Sequence, residues 1–186
     1  MFKLFNDLYN YQSYFIDHIE FTRLLAPCLG RAKAMGLSIS ATQVQEIWKP
    51  LEVEVFQNEN TVDLPDLSIW RDLIIMNQRA HEALSDLLSP FGEFLPVELL
   101  GKNGYLYHCT NIHHFSETEV TYQMHGDIYA GVTHLQFSEN FDAHIVTGIH
   151  KVYANTYCSE AVAKVIQDNK LTGLLLNKDL TVMAPY

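Results

Sequence analysis

Seven of the nine histidines in this chain of 186 residues fall between positions 108 and 150: His108, His113, His114, His125, His134, His144 and His150. Imidazole is the commonest metal ligand and the side chain best suited to proton transfer near neutral pH. A small metal-dependent hydrolase using this stretch is therefore one candidate function. The spacing is unlike that of a built site. The sequence holds no His-Glu-x-x-His, no His-x-His on a strand and no carboxylate pair at ligand spacing, and His113 and His114 would point to opposite sides of an extended segment. Imidazoles scattered over a sheet are the simpler account, and no cofactor is implied.

Nucleophiles are no better placed. There is no Gly-x-Ser-x-Gly elbow, and Cys109, next to His108, would face the other side of a strand. Cys158 lies near an expected helix start, where a thiolate is favoured, but burial as a structural thiol is the commoner fate. Cys28, Cys109 and Cys158 form no Cys-x-x-Cys pair and no disulfide framework, which suits three reduced thiols. The sequence also holds no glycine-rich phosphate loop and no basic patch interleaved with aromatics, so no catalytic motif is found.

Carboxylates remain. Twelve basic against twenty-two acidic residues give a net charge of -10, which repels nucleic acid and anionic membranes and attracts a cationic partner; such acidity also serves solubility alone. Glu52 and Glu54, Glu117 and Glu119, Asp127, then Glu139 and Asp142 recur on expected strand edges and turns. Together they would make an acidic surface that speeds capture of a basic protein. Tyr105, Tyr107, Tyr122 and Tyr129 are candidate aromatic anchors for such a contact. The expected partner-binding set is Glu117, Glu119, Tyr122, Asp127, Tyr129, Glu139 and Asp142, with no metal site and self-association left open.

The elements that must position these residues include a unit written twice. Leu73-Ile74-Ile75-Met76 leads into Asn77, a helical stretch with Glu82-Ala83-Leu84, then Glu93-Phe94-Leu95-Pro96-Val97; Lys151-Val152-Tyr153-Ala154 leads into Asn155, then Glu160-Ala161-Val162, then Thr172-Gly173-Leu174-Leu175-Leu176. One offset of 78 residues aligns Asn77 with Asn155, Glu82 with Glu160 and Leu88 with Ile166. Asn77 is a good helix N-cap, and Ala80, Leu84, Leu87 and Leu88 make one apolar stripe; the second helix is expected to start near Asn155. Strands are expected at 51–56, 93–99, 104–111, 118–123, 132–138 and 144–154, and a helix at 20–36 interrupted near Pro27 and Gly30.

Helices and strands mix without regular alternation, which predicts an α+β fold with a mixed, mostly antiparallel sheet and two similar strand-helix-strand units. The polar stretch at 57–61 divides an N-terminal lobe, 1–61, from a domain at 62–186, unless the whole is one compact domain. The N-terminus lacks the apolar core of a secretion signal, and no apolar run approaches the roughly 20 residues that cross a bilayer; a cytoplasmic protein is expected.

Across about residues 64–181 the order of pieces resembles a family of bacterial immunity proteins, long classed as a domain of unknown function and later as the eleventh immunity type linked to polymorphic toxins. The pieces are Leu64-Pro65-Asp66, Asn77 opening a helix through Ala83-Leu84, Phe94-Leu95-Pro96-Val97, the Tyr-rich run from Tyr105 to Asn111, Leu135-Gln136-Phe137, Val152 to Ala163, and Leu171-Thr172-Gly173-Leu174. The resemblance implies a non-enzymatic antitoxin that covers the active site of a cognate toxin or effector protein, and the chain's own acidity adds the expectation that this active-site surface is basic. It carries no functional residues over to named positions.

Overall fold

Apolar runs, alternating where one face is wet and continuous where both faces are buried, lay down the sheets, and two amphipathic helices close over them. The computed structural model describes residues 1–56, 63–138, 141–150 and 153–182. The chain runs β1 (Phe2–Asn6), β2 (Ser13–Phe15), α1 (His18–Leu29), α2 (Arg31–Met35), β3 (Glu52–Phe56), β4 (Leu67–Trp70), β5 (Leu73–Asn77), α3 (Gln78–Leu88), β6 (Gly92–Leu99) and β7 (Lys102–Cys109). It continues with β8 (Ile112–His114), β9 (Val120–His125), β10 (Ile128–Leu135), β11 (Ile145–His150), β12 (Tyr153–Cys158), α4 (Glu160–Asp168) and β13 (Leu174–Asn177). The fold is α+β, with mixed, mostly antiparallel sheets. Among the described residues no helix is long and apolar enough to cross a membrane.

Strand order is β2-β3-β6-β7-β5-β4 in one sheet and β13-β1-β12-β11-β8 in the other, with β9 and β10 a separate hairpin. The two strand-helix-strand units match strand for strand. In the first, the hairpin β4–β5 leads into α3 and β6, and β7 lies antiparallel between β5 and β6. In the second, β11–β12 leads into α4 and β13, and β1 lies antiparallel between β12 and β13. The inserted strand follows directly in the first unit and comes from the opposite end of the chain in the second. Residues 1–56 thus place β1 in one sheet and β2 and β3 in the other; the expected boundary at 57–61 lies outside the described residues.

Asn77 caps α3 as expected, its side chain accepting from the Ala80 amide. The second helix starts later than the offset implies. Asn155 lies inside β12, paired with Gly148, and the cap of α4 is Ser159, which accepts from the Val162 amide. The ladder wins because β12 goes on to bury Thr156, Tyr157 and Cys158, and strand pairing plus burial outweighs a local capping preference. The expected strand at 144–154 is accordingly the hairpin strands β11 and β12. In the N-terminal helical region the break falls at Gly30, with Pro27 inside α1.

Three cores result. The first lies beneath α3 and α4 and joins both sheets: Ala80, Leu84, Leu88, Val162 and Ile166 meet Leu4, Ile74, Met76, Tyr107 and Ile145. The second packs α1, α2 and the following loop on the other face of the six-stranded sheet, against Ile75, Leu95, Val97 and Leu106. The third seats the β9–β10 hairpin and Phe137 on Val146 and Tyr157.

A single carboxylate ties the units together. Asp66 accepts from the Asn77 amide side chain (2.8 Å), Arg79 (2.7 Å), and both the backbone amide (2.9 Å) and hydroxyl (3.0 Å) of Thr172. Its backbone joins in: Asp66 N donates to the Thr172 hydroxyl, and Asn77 N to the Asp66 carbonyl. The start of β4, the start of α3 and the entry to β13 therefore meet at one residue. Gly173 permits the contact, with φ +100° and a backbone so close that a Cβ would lie 2.1 Å from the Leu67 carbonyl oxygen. Burial alone would raise the Asp66 carboxyl, but the bonds from Asn77 and Thr172 and the Arg79 charge outweigh it and hold the group below the usual range.

Asp72 has the opposite sign. With Arg71 it makes the two-residue β4–β5 turn, with φ of 64° and 52°, the left-handed pair that a tight hairpin requires. Its carboxyl is pushed up to about 6 by burial, only partly offset by Arg71 and Lys3.

Two outcomes follow from these carboxyls. Asp66→Ala should lower the unfolding free energy in urea by about 2 to 3 kcal/mol, because it strands the Asn77 and Thr172 donors. A depressed carboxyl contributes fully above its unfolded value, about pH 4, and the contribution is lost as pH falls through the lower folded value; the variant should therefore flatten the acid limb of the stability curve. A raised carboxyl penalises the fold as pH rises from about 4 through about 6. Asp72→Asn should therefore raise the melting temperature at pH 7.5 and leave it nearly unchanged at pH 4.

Candidate partner-binding surface

The folded chain disperses the histidines. His108 is wholly buried, with Nδ1 2.9 Å from Glu93 Oε1 and Nε2 3.0 and 2.9 Å from the carbonyls of Leu37 and Ser40. Glu93 in turn accepts from the amides of Val44 (2.8 Å) and Gln45 (3.0 Å). Burial pushes the Glu93 carboxyl up, but the bonds from His108, Val44 and Gln45 prevail and hold it below the usual range. The two ring nitrogens of His108 thus face the Glu93 carboxylate on one side and the Leu37 and Ser40 carbonyls on the other. The pair therefore pins the loop over residues 37–45 to strands β6 and β7.

The other histidines have separate settings. His113 meets Glu119 at 3.1 Å among the rings of Phe115, Phe137 and Phe141. His144 lies 3.1 Å from the hydroxyl of Ser159, the α4 cap. His150 is buried and receives the Asn155 amide at 3.3 Å; burial and the nearby Lys3 charge hold its imidazole below the usual value. His114, His125 and His134 are exposed. Among the described residues no three His, Cys, Asp or Glu side chains converge as a metal set.

The β9–β10 hairpin brings two of the expected binding residues together. Tyr122 meets Tyr129 edge-on at 5.8 Å between ring centroids, and Tyr129 stacks on Tyr153 of β12 at 4.9 Å. Tyr122 and Tyr153 lie 6.1 and 6.0 Å from the His150 ring. This aromatic layer seats the hairpin on the five-stranded sheet, over Phe115 and the buried Tyr157, which contact each other at 5.9 Å. Gly148 makes room for them: a Cβ there would lie 2.6 and 2.7 Å from the Phe115 and Tyr157 rings.

Beyond the seat, the hairpin reaches into solvent with apolar residues at its tip. Ile128 is 72 % exposed and Met124 42 %, on either side of the turn at Gly126 and Asp127. Glu117, Asp127 and Asp142 are exposed near or on the same elements. Glu119 is turned inward, accepting from the amide and hydroxyl of Ser116 as well as facing His113. Glu139 lies outside the described residues. Of the other candidate anchors, Tyr107 is fully buried and donates to the Leu88 carbonyl, so it cannot meet a partner; Tyr105 stacks on His81.

Tyr153, Met124 and Ile128 were not singled out from the sequence. One signal could have marked the region: between Lys102 and Lys151 there is no lysine or arginine, while Glu117, Glu119, Asp127, Glu139 and Asp142 all fall there. The hairpin thus presents apolar residues at its tip, one exposed carboxylate, Asp127, in its turn, and a stacked tyrosine base. No protein-family model matches the chain, and comparison with curated proteins returns no match.

His108→Ala should cost about 2 to 3 kcal/mol of stability, because it removes the His108 contact from the buried Glu93 carboxylate and from the Leu37 and Ser40 carbonyls. Amide exchange should rise first at residues 37–45. Unchanged exchange there would rule out the pinning role.

Proposed function

We propose that this chain is a non-enzymatic immunity protein that binds a cognate toxin or effector with a basic active-site surface and blocks it sterically. The observation that carries the proposal is the β9–β10 hairpin: exposed Met124 and Ile128 at its tip, a stacked Tyr129–Tyr153 base, and carboxylates at Glu117, Asp127 and Asp142 in a stretch without fixed positive charge. Exposed apolar residues beside the Asp127 carboxylate fit a partner that sets a cationic group next to an apolar spot. The order of sequence pieces across residues 64–181 supports the same class.

Physically, the carboxylates steer a basic partner and set the encounter rate, and the apolar tip supplies the buried anchor that slows release. Inhibition of this kind asks for a stiff presenting element, and the tyrosine layer holding the hairpin against His150 provides one. The proposed setting is the cytoplasm of the producing cell, where the antitoxin meets its toxin before or after delivery between bacteria, for instance by type VI secretion.

The test is co-expression of the tagged chain with the products of neighbouring reading frames. One product should co-elute stoichiometrically, be toxic alone and be tolerated in the pair. Within that complex, Ile128→Asp should speed dissociation at least about tenfold, and Glu117→Lys with Asp127→Lys should slow association at low salt. No co-eluting product and no rescue of growth would overturn the proposal.

A further inference from the structure

On the α3 side of the six-stranded sheet, alternate residues of the outer strands are left uncovered by the described residues. Leu95, Val97 and Leu99 of β6 point into the second core, so Phe94, Pro96 and Glu98 lie on the α3 side. Val53 of β3 likewise points into that core, and Glu52, Glu54 and Phe56 lie on the α3 side. β2 adds Ser13 and Phe15, which pair with Phe56 and Glu54. Helix α3 itself packs on β5 and β7, and its His81 reaches Tyr105 and Phe94 at the border of the open area.

Two properties of this area do not favour the fold. Glu52 and Glu98 are direct neighbours in the parallel β3–β6 ladder, and like charges opposite one another weaken a sheet. Among the described residues no lysine, arginine or histidine forms an ion pair with Glu52, Glu54 or Glu98. Beside these carboxylates Phe56 is 63 % exposed, while Phe15 and Phe94 are half-buried. At the same border Nδ1 of His81 is shielded from water without a hydrogen-bond partner.

The dimensions fit one kind of element. Strands lie about 4.8 Å apart, so β2 to β6 spans about 10 Å, the diameter of an α-helix. The midline between β3 and β6 lies about 10 Å from the midline between β7 and β5, under α3, which is the spacing of packed helices. Helices laid side by side are the usual cover for such a face.

We propose that this face docks a cationic amphipathic helix of a partner protein, laid beside α3. Its apolar stripe rests on Phe15, Phe56 and Phe94, and its lysines or arginines meet Glu52, Glu54 and Glu98. The surface is distinct from the β9–β10 hairpin, so the proposal stands or falls independently of the toxin-binding role assigned to that hairpin.

The test uses the intact chain and a model peptide, a helix of about 18 residues with leucines on one side and lysines on the other, titrated by amide NMR at about 50 mM and about 300 mM salt. Shifts should concentrate on β2, β3 and β6, with micromolar affinity that weakens at the higher salt. The Glu52→Gln, Glu98→Gln double variant should bind about tenfold more weakly, yet melt at a higher temperature when free, because the like-charge contact is gone. Ile128→Asp, in the hairpin, should bind the peptide as the unaltered chain does. Shifts centred on β9 and β10, equal binding of a leucine–glutamate peptide, or unchanged affinity in the double variant would each overturn the proposal.

Discussion

The arrangement of both sheets depends on where the Asp66 carboxylate finds its donors. One oxygen takes the Asn77 side chain and the other takes Arg79 and both donors of Thr172, so the starts of β4 and α3 and a segment 106 residues beyond Asp66 converge on a group that burial would otherwise make costly. Neither sheet could shift against the other without breaking several of these bonds together. Gly173 belongs to the same constraint, since its missing side chain lets the entry to β13 close against Leu67. Leu64-Pro65-Asp66 and Leu171-Thr172-Gly173, 106 residues apart at Asp66 and Thr172, are thus the two halves of one lock.

From that lock the rest follows as a question of covering sheet faces. Two sheets present four faces, and an uncovered apolar face is unstable in water. Helices α3 and α4 close the shared interior, α1 and α2 close the outer face of the six-stranded sheet, and the β9–β10 hairpin with Phe137 closes that of the five-stranded sheet. The hairpin is longer than this duty needs, and its surplus length carries Met124 and Ile128 into solvent. The described residues leave the strip over β3 and β6 open, because α3 packs on β5 and β7 and meets β6 at Phe94. Both proposed contact surfaces are places where covering a face is either exceeded or left unfinished.

Polar residues inside the fold act as pins. The buried His108–Glu93 pair fixes the loop that follows α2 by satisfying carbonyls and amides that would otherwise lack partners. Lys3, also buried, gives its ammonium to the Val182 carbonyl and fastens the chain after β13 beside β1. Histidines that look like a cluster in sequence are thereby divided among unrelated tasks: a buried contact with Glu93, a turn beneath three phenylalanines, a helix cap, and the seat of a hairpin.

The sequence by itself determined the α+β class, strands β3, β6, β7 and β9, the Asn77 cap and the apolar stripe of α3, because period, capping chemistry and burial of alternate residues are local properties. It also held the acidic bias of the region between Lys102 and Lys151. What it misplaced was the start of α4, since the pairing of Asn155 with Gly148 is decided by a neighbouring strand and not by Asn155 itself. Only the tertiary structure set β1 between β12 and β13, stacked Tyr153 on Tyr129, turned Glu119 inward and put Glu52 against Glu98. Each of these is a contact between segments whose separation along the chain carries no local signature, so register and packing, not residue type, decide which side chains meet and which remain free for a partner.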